Sequence, residues 1–443
     1  MQASLQEILD AREARVHTQQ QLLAQYQKPL LCFTMNIPGP EKYNRDVAVG
    51  FAVGNWLLED ALQGRILYHA KYPRHTGCEA YYVTDLSARE LKQIALELED
   101  IHPIGRLFDM DVLDETGNKI DRESLGFPRR QCLICQQDAY VCAGRRTHSL
   151  AQLQERTGFL LYVCARQWFA ENIAVKAYLA LQQEVSTTPK PGLVDRNNRG
   201  AHTDMGMRHF FTSANALRPF FAKFAESGYL NRDLPPAEAF AHLRTIGIEA
   251  EAAMLSATGG ANTHKGAIFS LGLVCAAAGR LSPDDWNPDR LLDECSAMTQ
   301  GIVAQDLGNV TLENAQTAGQ RIYAQYGIGG VRQQAEAGFP AVLHTGLPIL
   351  KQALAQGMNL NDAGAVTLLH LLSVTDDTNL IHRSNRQTQL QIQQQIADLL
   401  NDTPFPSTAE IEKLDAEFIE KNLSPGGSAD LLALCYLLLL LTQ

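Results

Sequence analysis

The sequence predicts two domains of different class: a small α/β domain with a mixed sheet over residues 1–165, then an all-α domain over residues 166–443. Three observations predict it. The chain's 443 residues exceed what one hydrophobic core usually organises. Runs that read as strands fall only in the first third of the chain. From about Leu160 onward the pattern is helical, with Ala, Leu and Gln dominating and few β-branched runs.

The first elements follow from periodicity. Residues 5–27 read as an amphipathic helix with Leu5, Ile8, Leu9, Ala14, Leu22, Leu23 and Tyr26 on its apolar side. Pro29 to Met35 reads as a buried strand, stopped by the breakers Asn36-Ile-Pro-Gly-Pro40. Ala48 to Ala61 reads as a helix and Glu79 to Thr84 as a strand. Ser87 to Glu99 reads as a third helix, where Ser87 and Glu90 have capping-box spacing. A strand follows within Gly105–Asp114, ending in the turn Asp114-Glu-Thr-Gly117. The polar stretch Ser149–Gly158 is the expected linker.

Composition excludes several classes. A net charge of −11 disfavours a nucleic-acid binder, which usually carries a basic face. The first helical run is polar and Gln-rich, unlike a signal peptide. The most apolar run, Leu431–Thr442, is too short to span a bilayer. Nine cysteines without a secretory signal predict reduced thiols in a cytoplasm.

Several motifs carry chemistry. Asp109 and Asp111 alternate along a strand, so both carboxylates face one side. Their repulsion calls for a cation, and hard oxygen ligands suit Mg²⁺. Arg106, Arg122, Arg129 and Arg130 are candidates for phosphate contacts, with Lys42 and Arg45 as weaker ones. Cys132-x-x-Cys135, Cys142 and His148 offer three thiols and an imidazole, a set that suits tetrahedral zinc. Only the first pair has zinc-site spacing, and small buried thiols are the alternative.

The helical half is interrupted by four polar stretches. The first runs from Glu184 through Lys190 and Asp195 to Asp204. The second, Glu249 and Glu251 leading to Gly259-Gly-Ala-Asn-Thr-His-Lys265, reads as a helix entrance with Asn262 and Thr263 as N-cap types. Its free amides, with His264 and Lys265, suit a phosphate. The third is Asp376-Asp-Thr-Asn379 with Arg383 close behind, and the fourth is Ser424-Pro-Gly-Gly-Ser-Ala-Asp430. Carboxylates and glycine turns feeding helices together suit a nucleoside triphosphate with its magnesium.

These residues carry a resemblance. Asn36-Ile-Pro-Gly-Pro-Glu-Lys42, Gly105-Arg-Leu-Phe-Asp-Met-Asp-Val112 and Arg130-Gln-Cys-Leu-Ile-Cys135 resemble the apo-citrate lyase phosphoribosyl-dephospho-CoA transferase family. Pro189-Lys-Pro-Gly-Leu-Val-Asp195, Gly260-Ala-Asn-Thr-His-Lys-Gly266, Asp376-Asp-Thr-Asn379 and Ser424-Pro-Gly-Gly427 resemble triphosphoribosyl-dephospho-CoA synthase. The chain as a whole is similar to the fused, bifunctional form. The resemblance implies two reactions: ATP and 3′-dephospho-CoA joined with release of adenine, then transfer of the product to a serine of the acyl carrier subunit of citrate lyase. On chemical grounds, Asp109 and Asp111 would then act in transfer, and Glu251, Asp376 and Asp377 in the synthase reaction. Magnesium is expected on the Asp109–Asp111 and Asp376–Asp377 pairs. Lys190, Asn262, Thr263, His264, Lys265, Asn379, Arg383, Gly426 and Gly427 would hold the nucleotide. The carrier of malonate decarboxylase is an alternative partner, and an inactive domain serving as a nucleotide-binding dock is an alternative role.

Overall fold

The computed structural model describes residues 2–442 and divides into two compact units. One comprises the residues through Phe169 with Ser282–Asp284. The other comprises the remainder from Ala170.

The first unit is built on four strands, β1 (Leu30–Met35), β2 (Ile66–Tyr72), β3 (Glu79–Thr84) and β4 (Phe108–Leu113). They lie in the order β2-β3-β1-β4, and every pairing is antiparallel. The mixed sheet expected from the sequence is therefore corrected. The strand β2 also escaped the sequence reading: it alternates half-buried and exposed residues at the sheet edge and carries no continuous apolar run. Helices α1 (Leu5–Tyr26), α2 (Arg45–Ala61) and α3 (Ala88–Ile101) complete the framework. Ser87 and Glu90 form the anticipated capping box of α3.

Further on, α4 (Ala139–Arg145) is short and α5 (Leu150–Cys164) occupies the expected linker. Ser149 caps α5 reciprocally with Gln152, so a polar stretch became helix because its first residues satisfy the orphan amides. A single π-type turn, Ala165–Phe169, connects it to α6 (Ala170–Ser186).

Every element named from Ala170 to Thr442 is a helix. Helices α7 (Met207–Leu230), α8 (Pro236–Ala257) and α9 (Lys265–Arg280) follow α6. Close packing of α7 on α9 depends on two glycines: a Cβ at Gly228 would overlap the Ala276 carbonyl, and one at Gly279 the Ala225 carbonyl. The C-terminal helix Gly426–Thr442 is buried on nearly all sides. It packs against α6, α9 and the helix Leu360–Val374, which cover its all-round apolar surface. A second cluster gathers Leu369, Leu380, Ile396, Phe418 and Leu423. No helix among the described residues is long and apolar enough to cross a membrane.

Candidate active sites

In the first unit, β4 is the edge strand that carries the chemistry. Phe108, Met110 and Val112 are buried, while Asp109 and Asp111 share the opposite, half-exposed face, as strand alternation requires. An edge strand exposes unpaired backbone groups, and here charged side chains cover them. The Glu99 carboxylate accepts the Met110 amide at 2.8 Å, and the Lys92 ammonium donates to the Met110 carbonyl at 2.8 Å. The Arg130 guanidinium donates to the Phe108 carbonyl. Lys92 and Glu99 both project from α3 and are buried. Burial pushes the Glu99 carboxyl up, opposed by Arg130, the Met110 amide and Lys92. Burial also lowers Lys92, opposed by Glu99 and Asp111.

The two strand carboxylates are not bare. Asp111 lies 2.6 Å from Lys119, and Asp109 lies 3.6 Å from Arg130. Arg122 bonds Asp100 at 2.6 Å and stands 3.9 Å from Glu99. Burial and the neighbouring Arg130 lower Arg106. These groups form one cation-rich face around Asp109 and Asp111. Arg129 does not join it through any recorded contact: it is exposed and bound to Glu123 at 2.5 Å, with Asp138 at 3.8 Å. Lys42 is bound to the Ile37 carbonyl at 2.6 Å, and Arg45 is the first residue of α2. Cys132, Cys135, Cys142 and His148 place their ligand atoms within 4.8 Å of one another.

In the second unit, three chain segments meet. Gly427 packs against the Asp377 carboxylate, and Gly426 against the Asn379 side chain. A Cβ at Gly266 would overlap the Asp430 carboxylate. Asp377 is buried and accepts four bonds: Asn379 and Leu380 amides at 2.9 and 3.1 Å, and the Ser428 amide and hydroxyl at 2.7 and 3.0 Å. Asp430 accepts the Ala267 amide. The Ala267 amide of α9 and the Ser428 amide of the C-terminal helix are thus given to carboxylates. At these two amides, where the sequence reading expected phosphate, the chain supplies its own anions.

Asp430 is half-buried, with protein surrounding most of it. Burial, then Glu184 and Asp377, push its carboxyl well above the usual range. Burial also raises Asp377 and Glu184. The buried ammonium of Lys190 is bonded to the Glu184 carboxylate, and to the Glu184 carbonyl at 2.9 Å. Lys190 is therefore a buried counter-ion, not the free phosphate contact expected.

Other expected residues are placed differently. Asp376 is exposed and bound to Arg386 at 2.5 Å, so it does not share a site with buried Asp377. The two neighbours diverge because Asp377 turns inward as the N-cap of the helix Thr378–Arg383. The N-cap of α9 is His264, not Asn262 or Thr263, and it makes no side-chain cap bond. Asn262 is exposed, and the Thr263 hydroxyl is buried without a partner. The His264 ring is buried with Nδ1 2.7 Å from the Ser213 hydroxyl, while Nε2 has no partner. Burial, then Lys190, lower His264 to about 3. Lys265 is ion-paired with Glu251. Arg383 bonds the Ala201 carbonyl at 2.9 Å and Asn422 at 3.1 Å, and its guanidinium lies 2.9 Å from His202 Nδ1. It ties the loop after α6 to the chain before the C-terminal helix.

Sequence reasoning missed Asp430 and Glu184 as site residues. Both lie inside stretches already singled out. The available signal was Asp430 placed four residues after Gly426, one helical turn into the C-terminal helix.

Comparison with known proteins decides the family. The model described as apo-citrate lyase phosphoribosyl-dephospho-CoA transferase matches residues 3–161, and that described as ATP:dephospho-CoA triphosphoribosyl transferase matches residues 170–443. This chain belongs to the fused CitX–CitG family. The protein CitXG of Haemophilus influenzae is 38% identical over 97% of this chain and 95% of its own length. Protein CitXG of Leuconostoc mesenteroides subsp. cremoris is 36% identical over 97% and 96%. The 2-(5''-triphosphoribosyl)-3'-dephosphocoenzyme-A synthase of Pectobacterium atrosepticum is 44% identical over 58% of this chain and 85% of its own. As a member of this family the chain is a bifunctional transferase that makes and attaches the citrate lyase prosthetic group.

Proposed function

We propose that the two reactions are divided between residues 1–165, the transferase, and residues 166–443, the synthase. The observation that carries this division is that each half holds its own acidic site: Asp109 and Asp111 on a cation-rich strand face, Asp377 and Asp430 bonded to the amides that open two helices.

In the synthase half, the ribose C1′–adenine bond of ATP breaks, and a bond forms from that carbon to the 2′-oxygen of 3′-dephospho-CoA. The hydroxyl proton is lost, and adenine leaves protonated. Positive charge grows on the ribose, and carboxylates fixed by helix-opening amides stabilise it without reorganising. Asp430 is the group that accepts the hydroxyl proton, since its raised carboxyl is a stronger base than an ordinary aspartate. It takes the role expected of Asp376. Magnesium fits this neighbourhood, where the carboxyls of Glu184 and Asp377 act on Asp430 and the Lys190 ammonium is bonded to Glu184. Asp377 would contribute to holding it, leaving Asp430 to take the proton, and the ion would supply charge neutralisation for the triphosphate. Glu251 of α8 and Lys265 at the start of α9 are ion-paired and would meet the nucleotide there.

In the transferase half, the carrier serine oxygen bonds to the α-phosphorus and pyrophosphate leaves. Arg106, Arg122 and Arg130 offset charge on the phosphates. Asp109 and Asp111 would hold a second magnesium, which would supply charge neutralisation for the leaving pyrophosphate. The partner is the citrate lyase carrier subunit, favoured over other carriers by the family matched at residues 3–161. A cytoplasmic setting fits nine cysteines that are all free thiols.

The test is one incubation of pure protein with ATP, Mg²⁺, dephospho-CoA and apo-carrier. Free adenine together with a carrier mass gain equal to the phosphoribosyl-dephospho-CoA group is expected. Adenine without the mass gain would overturn the transferase assignment. Neither signal from folded protein would overturn both.

A further inference from the structure

The segment from Asp121 to His148 lacks a core of its own. Its only buried residues are Cys132 and Cys142. Tyr140 is 82% exposed and Val141 41%. Hydrophobic burial therefore cannot hold this segment in place, and small units of this kind depend on a staple.

The backbone around Cys132 is shaped as a knuckle. The Cys132 amide donates to the Gln137 carbonyl at 2.6 Å, and the Ala139 amide to the Arg130 carbonyl at 2.9 Å. Gln131 and Asp138 bridge antiparallel. Between them Gln136 takes the left-handed φ of 60°, a conformation unfavourable for a residue with a Cβ. The turn directs the amides of Ile134 and Cys135 at the Cys132 sulfur. Asp138 then caps α4 through the Tyr140 amide at 2.8 Å. That helix returns Cys142 to the knuckle, and His148 follows it.

Cys135 Sγ lies 3.4 Å from Cys142 Sγ and 3.2 Å from His148 Nε2. A zinc tetrahedron with sulfur at about 2.3 Å and nitrogen at about 2.0 Å has edges of roughly 3.4–3.8 Å. The four ligand atoms, all within 4.8 Å of one another, match such a set. Thiols oriented this way, with amides donating to sulfur, are the surroundings a thiolate–metal bond needs.

We propose that Cys132, Cys135, Cys142 and His148 bind one zinc ion in a closed, structural site that fixes Arg130 on β4. Four protein ligands leave no open position for substrate or water. Arg130 precedes Cys132 by two residues. Its guanidinium bonds the Phe108 carbonyl and lies 3.6 Å from Asp109, and its Nε is buried without a partner. A guanidinium held this way depends on the backbone behind it, and the zinc supplies that rigidity. This consequence for transfer rests on the transferase reading above; the metal site does not.

Full-length protein prepared under reducing conditions in zinc-containing medium tests both parts. Elemental analysis is expected to give about one zinc per chain, falling to background in Cys135→Ser and in Cys142→Ser. Cobalt substitution is expected to give thiolate charge-transfer bands and tetrahedral visible bands, a signature independent of activity. Zinc removal by chelation, followed by dialysis and return to excess Mg²⁺, is expected to lower transfer to the carrier at least tenfold, in the range seen when a metal's supporting contacts are lost. Adenine release should stay unchanged, which controls for folding, and added zinc should restore transfer. Zinc below one-tenth per chain in reduced protein, or iron in its place, overturns the site. Zinc present but transfer unaffected by its removal overturns the link to Arg130. Zinc-loaded protein with no transfer at all would count against the transferase reading and leave the site standing.

Discussion

The two acidic sites compensate their charges in opposite ways. On β4, Asp109 and Asp111 stay half-exposed, each beside a cation, Arg130 or Lys119. In the helical unit, Asp377 and Asp430 are surrounded by protein and fixed by backbone amides. A solvent-facing pair exchanges partners at little cost, because exposed ion pairs are worth at most about 1 kcal/mol. That suits a face which must accept a whole carrier protein. A buried carboxylate keeps its geometry and a raised proton affinity, which suits bond breaking within a small nucleotide.

Substitutions that remove charge while keeping shape sharpen this contrast. The largest effect is expected for Asp430→Asn. Adenine release should fall by about a hundredfold or more, the usual value of a lost base. The melting temperature should hold or rise, since a carboxyl repelled by Glu184 and Asp377 is removed. Unchanged adenine release would remove Asp430 from the chemistry.

Next come Asp109→Asn and Asp111→Asn. Each should lower transfer to the carrier by roughly tenfold to a hundredfold while leaving adenine release intact. Loss of both activities in a folded variant would break the separation of the two sites.

A smaller effect concerns stability in acid. His264 is held neutral down to about 3, against an ordinary 6.5. Between these values the unfolded chain binds a proton that the folded one refuses. Stability is therefore whole above pH 6.5 and is lost as pH falls toward 3, by about 1.4 kcal/mol per unit at most. Denaturant titrations from pH 7 to 4 should show this slope, and His264→Gln should reduce it. An identical slope in the variant would mean that His264 is charged when folded.

The smallest effect is expected at the exposed Lys265–Glu251 pair. Lys265→Ala should raise the KM for ATP by roughly tenfold, the value of one charge-assisted contact. Transfer of purified intermediate should not change. An unaltered ATP dependence would exclude Lys265 from the site.

Legibility in the sequence followed the range of the interactions. The shared face of Asp109 and Asp111 follows from a period of two, and the capping box of α3 from a spacing of three. The four zinc-ligand candidates were readable as residue types, with spacing informative only for Cys132 and Cys135. The expected pairing of Asp376 with Asp377 failed because a helix N-cap turns its side chain inward while its neighbour faces solvent. Lys190 was misread because its counter-ion, Glu184, comes from the preceding helix and buries with it. The linker expected at 149–158 failed because polar composition was weighed above the Ser149–Gln152 cap.

The sequence by itself determined the family, the two-reaction chemistry, most helix and strand positions, and the stretches in which the sites lie. Those depend on residue types and short spacings, which the chain carries locally. Tertiary structure alone decided that the sheet is antiparallel, and that Asp430 rather than Asp376 joins Asp377. It also decided that helix-opening amides face carboxylates and that the cysteines converge. Each of these is set by residues distant in sequence meeting in a low-dielectric interior, where the partner determines whether a charge binds, repels or takes a proton.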